Sequence, residues 1–365
     1  MTGNIKISIR QFTVLVMFYT IGTTILVIPS SLAADAEQNA WIAAIVGWLL
    51  GLFIVGLYIL LSKQFPAMTL IEYTEKIFGK WIGKLVSLLF VFFSFIGASS
   101  VLFYMGNFMT TQVMPETPIE SFIILFAGIV LMGLRLGLEV LARAAEILFP
   151  WFLLLFVVST LFLIPEMDIQ KIQPITEIGI KPIFKASLSY ISTASLPLIV
   201  FLMVFPVCVN HLEEGGKAFF IGSLLGGIFV IIITFLSIAI LGADFSERNI
   251  YPSYALAKKI NIGNFIQRVE ILMAGMWFLT IFFKTSFYSY HFVAGLAQIF
   301  GLKDYRPLVL PYGMILVVYS LVVYPNVVYM MDFDTKIWIP FALTICLFIP
   351  LIMLGIGSIQ MKMKK

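Results

Sequence analysis

The residues best placed to do chemistry lie between 282 and 291, which reads Phe-Phe-Lys-Thr-Ser-Phe-Tyr-Ser-Tyr-His behind a largely apolar stretch. An ammonium near the centre of a membrane helix costs about 2.5–3.5 kcal/mol on insertion scales, so Lys284 must face a polar interior and find partners. Lys284, Tyr288 and His291 stand at i, i+4 and i+7 and share one helix face. Thr285 and Ser289 form an adjacent hydroxyl pair. One reading has this face lining a binding cavity, with the ammonium touching a ligand or standing in for a bound cation. The other has Lys284 snorkelling to the cytoplasmic interface or capping carbonyls of a neighbouring helix.

Two further segments are poor material for a continuous helix. Residues 19–29 read Tyr-Thr-Ile-Gly-Thr-Thr-Ile-Leu-Val-Ile-Pro, crowding Gly22, Thr23, Thr24 and Pro29 into one span. Residues 190–197 read Tyr-Ile-Ser-Thr-Ala-Ser-Leu-Pro, placing Thr193, Ala194 and Ser195 before Pro197. Backbone broken inside a membrane is tolerated only where it is buried in protein or lines a cavity. Interrupted segments at corresponding positions of two halves point to a secondary-transporter fold with inverted repeats. Half-helix ends would aim partial charges at a ligand, a carboxylate lying near a positive N-terminal end, which suits an amino acid. The plainer reading is that glycine and proline merely kink both spans. Gly97 and Tyr104, seven apart on one face of another span, leave room for substrate beside a small residue, although ordinary helix packing explains the glycine equally well.

The elements that must position these groups follow from composition. Of 365 residues 61% are hydrophobic and 12% charged, with a mean hydropathy of +1.05; a soluble domain carries about a quarter charged residues. The apolar runs are too continuous for an outer-membrane barrel. The expected class is all-α, a polytopic membrane protein forming one domain over 1–365, with repeats at about 1–168 and 178–365. With about 20 apolar residues per span, ten helices are expected near 11–32, 41–61, 81–110, 121–134, 144–164, 183–209, 218–241, 265–299, 308–323 and 337–359. The first is expected to remain as an anchor, without signal cleavage.

Placing the N-terminus in the cytoplasm puts fourteen of the 23 basic residues on the inner side and seven outside, mostly in the long loops 165–182 and 242–263. Both termini are therefore expected to be cytoplasmic. A short surface helix is expected within 251–259. Pairs of glycines at helical spacing, Gly47 with Gly51 and Gly222 with Gly226, read as close-packing sites. Arg268 and Glu270, being i and i+2, do not face each other. Cys208 and Cys346 sit in apolar runs, where a thiol behaves as a small hydrophobe.

Catalytic patterns are lacking: the sequence contains no HExxH, GxxxxGK[ST] or GxSxG, and its two histidines cannot make a three-histidine metal site. No catalytic residue, metal or cofactor is expected. The net charge of +4 comes from scattered loop residues without a basic-aromatic module, so nucleic acid is not expected as a partner.

Arg10-Gln11 leading through Ile21-Gly22-Thr23-Thr24-Ile25 to Pro29 resembles the opening of the amino acid-polyamine-organocation permeases, and more narrowly the B subunits of endospore germinant receptors. Phe78-Gly79-Lys80-Trp81-Ile82-Gly83, Val204-Phe205-Pro206, Arg268-Val269-Glu270 and Tyr324-Pro325-Asn326 extend the resemblance along essentially the whole chain. It implies a leucine-transporter-like fold of five plus five helices with broken first and sixth members. It also implies a sensor in the inner membrane of a bacterial spore that binds a nutrient germinant, works with an A subunit and a lipoprotein C subunit, and helps trigger ion release. The implied pocket lies among the first, third, sixth and eighth helices, at Gly22, Thr23, Gly97, Ala194, Ser195, Lys284 and Tyr288; Thr24, Thr193 and Thr285 join them from the readings above. Many relatives carry a glycine-glutamate pair in the sixth span, where this chain has Ser195-Leu196-Pro197, so any role of that acid is absent here. The alternative function is an autonomous amino-acid permease, proton-coupled through Lys284 or His291.

Overall fold

The computed structural model describes residues 6–175, 178–209, 212–260 and 270–363. Arg268, Val269, Lys364, Lys365 and the expected start of the eighth span at 265 lie outside the described residues. Elements begin where local capping dictates. Helix α1 (Ile9–Ile21) starts at a capping box in which Ser8 Oγ accepts from the Gln11 amide and Gln11 Oε1 accepts from the Ser8 amide. It ends where Gly22 adopts φ +21°, a backbone setting that side chains disfavour, and the chain restarts as α2 (Thr24–Ala36). The expected break in the first span is therefore two residues wide.

After a short turn the chain continues as α3 (Ala40–Gln64), α4 (Leu70–Phe78), α5 (Lys80–Phe108), α6 (Ile119–Leu136) and α7 (Leu138–Leu163). The following segment starts as α8 (Ile180–Tyr190), widens to a π turn at Ile191–Ser195, tightens to a 3-10 helix at Leu196–Met203 and finishes as α9 (Phe205–Cys208). The second break is thus a change of winding rather than a gap. Then come α10 (Leu212–Leu241), α11 (Ala243–Arg248), α12 (Pro252–Ala257), α13 (Glu270–Ile299) and α14 (Arg306–Val322). The last helical run comprises α15 (Val327–Phe333), α16 (Ile339–Leu343) and α17 (Ile349–Met363), joined by π turns at Asp334–Trp338 and Thr344–Phe348. The short helix expected within 251–259 is α12.

Eight helical stretches of the described residues are long and apolar enough to cross a membrane, while Ile9–Ile21 and Arg306–Val322 are shorter apolar helices. The fifth and seventh spans start six residues early, at Leu138 and Leu212, and the boundaries differ more in two other places. Thr24–Gln64 runs as one stretch through the turn at Glu37–Asn39. The last run begins at Val327, ten residues before the expected 337, because Asn326 caps it by accepting from the Tyr329 amide at 2.9 Å.

The paired glycines are close-packing points. A Cβ on Gly222 would lie 2.6 Å from Thr13 O, and one on Gly226 2.7 Å from Thr20 Cβ, so α10 lies directly against α1. Gly47 and Gly51 of α3 do the same for Tyr190 and Ser195 around the π turn. Gly226→Leu is expected to melt several degrees below wild type in detergent, since overpacking costs about 1–3 kcal/mol. Gly56→Leu, where a Cβ meets nothing within 4 Å, should leave the melting temperature unchanged; equal effects would show that α1 and α10 do not need this approach.

Candidate functional site

Lys284 reaches the break in the first helix because Gly22 has no side chain: a Cβ there would collide with Lys284 Cδ and lie 3.0 Å from Tyr19 O. The lysine is 1% exposed, so it does not snorkel. Its Nζ donates to Thr193 O at 2.9 Å and lies 3.4 Å from Thr24 Oγ1 and 5.5 Å from the centre of the Tyr19 ring. One ammonium thus ties α13 to the start of α2 and to the π turn after α8. Thr280, one turn earlier, aims its hydroxyl at Gly22 O from 3.5 Å.

The altered winding of the sixth span leaves carbonyls that donors from other helices meet. Trp338 Nε1 donates to Ser192 O at 3.1 Å, and Tyr19 OH donates to Pro197 O at 3.1 Å. The Tyr58 hydroxyl sits 2.8 Å from Leu196 O and 2.7 Å from Cys346 O, sharing its proton between the sixth span and the second π turn of the last run. Unmet carbonyls in this setting would each cost about 1–3 kcal/mol.

Beside these groups lies a narrow cavity of about 50 Å³. Thr23, Val27, Gly97, Thr193, Lys284 and Tyr288 border it from the first, third, sixth and eighth spans, and Tyr104, Tyr324, Asp334 and Trp338 complete it. A Cβ on Gly97 would come within 2.6 Å of the Tyr288 ring, so the glycine gives that ring its place. The cavity shares Val27, Ser31, Ser189, Asp334 and Thr335 with a larger vestibule, where Lys185 and Asp35 pair at 2.7 Å beside Glu247 and Arg248 of α11. On the opposite side the Phe12, Phe201, Phe205 and Phe219 rings pack at 5.7–5.9 Å, and Phe201 stacks on Phe287 at 4.5 Å. Among the described residues the cavity is continuous with the vestibule on the face carrying α11.

Residues 6–328 match the family described as spore germination protein. The chain belongs to that family. It is 28% identical to spore germination protein KB of Bacillus subtilis (strain 168) over 326 residues, covering 88% of this chain and 86% of the relative. It is 27% identical to spore germination protein A2 of the same organism, covering 80% of each, and 20% identical to spore germination protein XB of Bacillus anthracis, covering 72% of each. Among solved structures it is similar to Mhp1, a nucleobase-cation-symport-1 family transporter in a closed conformation with bromovinylhydantoin bound. The TM-score is 0.73 at 12% identity, over 97% of this chain and 78% of that one. MhsT in complex with L-phenylalanine gives 0.67 at 13% identity, over 96% and 97%. The fold is thus leucine-transporter-like and the protein a multi-pass membrane protein related to germination proteins and transporter folds rather than to enzymes.

Within this germination-protein fold, Thr23, Gly97, Thr193, Lys284 and Tyr288 border the cavity, while Gly22 and Thr24 touch Lys284 from behind it. Ala194, Ser195 and Thr285 are buried but face elsewhere: Ser195 packs on Gly51, and Thr285 Oγ1 donates to Ile281 O at 2.8 Å within its own helix. His291 is buried away from the cavity, with Nδ1 2.8 Å from Ser94 Oγ. The charged lining residue that sequence reasoning missed is Asp334, which falls between the expected spans 308–323 and 337–359; Val27, Tyr324 and Trp338 were not expected at the cavity either. Two signals could have found Asp334: the Asn326 cap and the i, i+4 pair Asp332–Lys336, closed at 2.9 Å. Tyr58→Phe should lower stability by about 1–3 kcal/mol, read as a reduced melting temperature of the purified protein. An unchanged value would mean that Leu196 O and Cys346 O do not rely on that hydroxyl.

Proposed function

We propose that this protein is a nutrient-sensing subunit of a spore germination system, binding a small carboxylate-bearing nutrient, an amino acid, in the cavity beside Lys284. The observation that carries the reading is the Lys284 ammonium at the break of the first helix. Two of its three protons are directed to Thr193 O and Thr24 Oγ1, which leaves one for a ligand. Through Thr24 the ammonium lies beside the start of α2, and a helix N-terminus favours an anion. The bound L-phenylalanine of MhsT is a property of that protein, and it makes an amino acid a reasonable occupant of this fold.

In this reading both termini face the cytoplasm of the spore, the vestibule beside α11 opens outward, and residues 1–168 and 178–365 form the two inverted repeats. A ligand bridging the first, sixth and eighth spans changes which arrangement of those helices is favoured, and only such differential binding produces a signal. The signal passes to an A-type subunit and a lipoprotein C subunit. The transporter-like fold favours a second reading, an autonomous permease.

Purified chain in proteoliposomes, given radiolabelled amino acids, separates the two. Saturable binding without accumulation is expected for the sensor, and accumulation driven by a proton gradient would make the protein a permease. Lys284→Met should weaken binding about tenfold or more, the worth of a hydrogen bond to a charged group, and Gly22→Leu should abolish it. Unchanged affinity in both variants would remove the site from this break.

A further inference from the structure

The outer end of the cavity carries a second charged group of opposite sign. Asp334 stands on the first π turn of the last helical run, borders both cavity and vestibule, and accepts a hydrogen bond from the Tyr104 hydroxyl of α5. A carboxylate offers about four acceptor sites, and among the described residues no other group bonds to it. Among the described residues no ion pair within 4.0 Å involves Asp334 or Lys284. Of the nearby bases, Lys336 pairs with Asp332 and Lys185 with Asp35, and Arg248, which borders the vestibule, makes no ion pair with Asp334 among the described residues. Tyr324, which also borders the cavity, donates its hydroxyl to Ser100 Oγ at 2.8 Å. An acid and a base thus share one narrow cavity without neutralising each other, a costly arrangement that a ligand with both charges would relieve.

Resting on the reading that a carboxylate meets Lys284, we infer that Asp334, steadied by Tyr104, receives the protonated amine of the same ligand. The cavity then selects zwitterions. The amine end lies toward the vestibule and the carboxylate toward the broken first helix, and the side chain packs among Val27, Val101 and Trp338. The ligand class follows: free α-amino acids meet both charges, whereas simple amines and simple carboxylates each leave one buried charge unmet and sugars leave both. The π turn supports the assignment, because the extra residue in a widened turn re-aims the side chain it carries, and such turns recur at functional sites.

Three amino acids and their deamino counterparts test this on the full chain in proteoliposomes: L-alanine with propionate, L-leucine with isocaproate and L-phenylalanine with hydrocinnamate. Wild type should bind at least one amino acid about tenfold or more tighter than its counterpart. Asp334→Asn, nearly the same shape, should reduce that preference to within about twofold while leaving the counterpart's affinity where it was. If wild type binds the counterparts as tightly as the amino acids, the amine role of Asp334 is overturned, and the carboxylate site at Lys284 stands. If Asp334→Asn keeps the wild-type preference, the amine lies elsewhere and the assignment is overturned in the same way. If none of the six compounds binds, the underlying amino-acid reading is overturned with it.

Discussion

Every backbone donor and acceptor at membrane depth needs a partner from within the protein, and this requirement governs how the two interrupted helices can exist at all. The first span stops for two residues at Gly22, and the sixth changes winding twice between Ile191 and Met203. Each interruption frees carbonyls that a regular helix would have consumed. They are met by side chains from elsewhere in the chain: Lys284 and Trp338 at the π turn, Tyr19 and Tyr58 at the 3-10 segment. The site is therefore a by-product of satisfying the breaks. Two of the groups that hold the irregular backbone, Lys284 and Trp338, also border the cavity.

That dependence links architecture to access. On one side the aromatic cluster around Phe12, Phe201 and Phe219 fills the space between the first span, the sixth and α10. On the other, hydroxyls and the Asp35–Lys185 pair line an open vestibule. The dry, close-packed side resists deformation, whereas the polar side is joined by few, solvent-competent contacts of little individual worth. Rearrangement is thus cheapest at the vestibule, where α2, α8, α11 and the start of the last helical run converge. A protein of this fold can be turned to transport or to sensing by what its two states contact, since fold alone does not fix function.

The pieces legible in the sequence were those that violate the composition of a membrane helix. A lysine in an apolar span, glycine and threonines in the middle of the first, and serines before Pro197 each stand out locally, and all of them fall at or beside the breaks. Gly222 with Gly226 and Gly47 with Gly51 were legible for the same reason, as small residues at helical spacing. Asp334 was not, because its surroundings look like a loop until the helix is known to start at Val327. Tyr58 was invisible for another reason: a tyrosine in an apolar span is unremarked until its hydroxyl is found beside Leu196 O and Cys346 O, the latter 288 residues away in sequence.

By itself the sequence determined the class, an all-helical membrane protein, and where its helices could not remain regular, because hydropathy and helix propensity are local quantities that a linear reading contains. Only the tertiary structure decided which faces of those helices look inward, and so separated Thr193, which borders the cavity and holds Lys284, from its neighbours Ala194 and Ser195, which do not. It also decided that an acid from the last helical run joins a base from the eighth span in one cavity. Such pairings depend on helix rotation and winding. A single π turn shifts every later side chain around the axis, and nothing in residue spacing alone announces it.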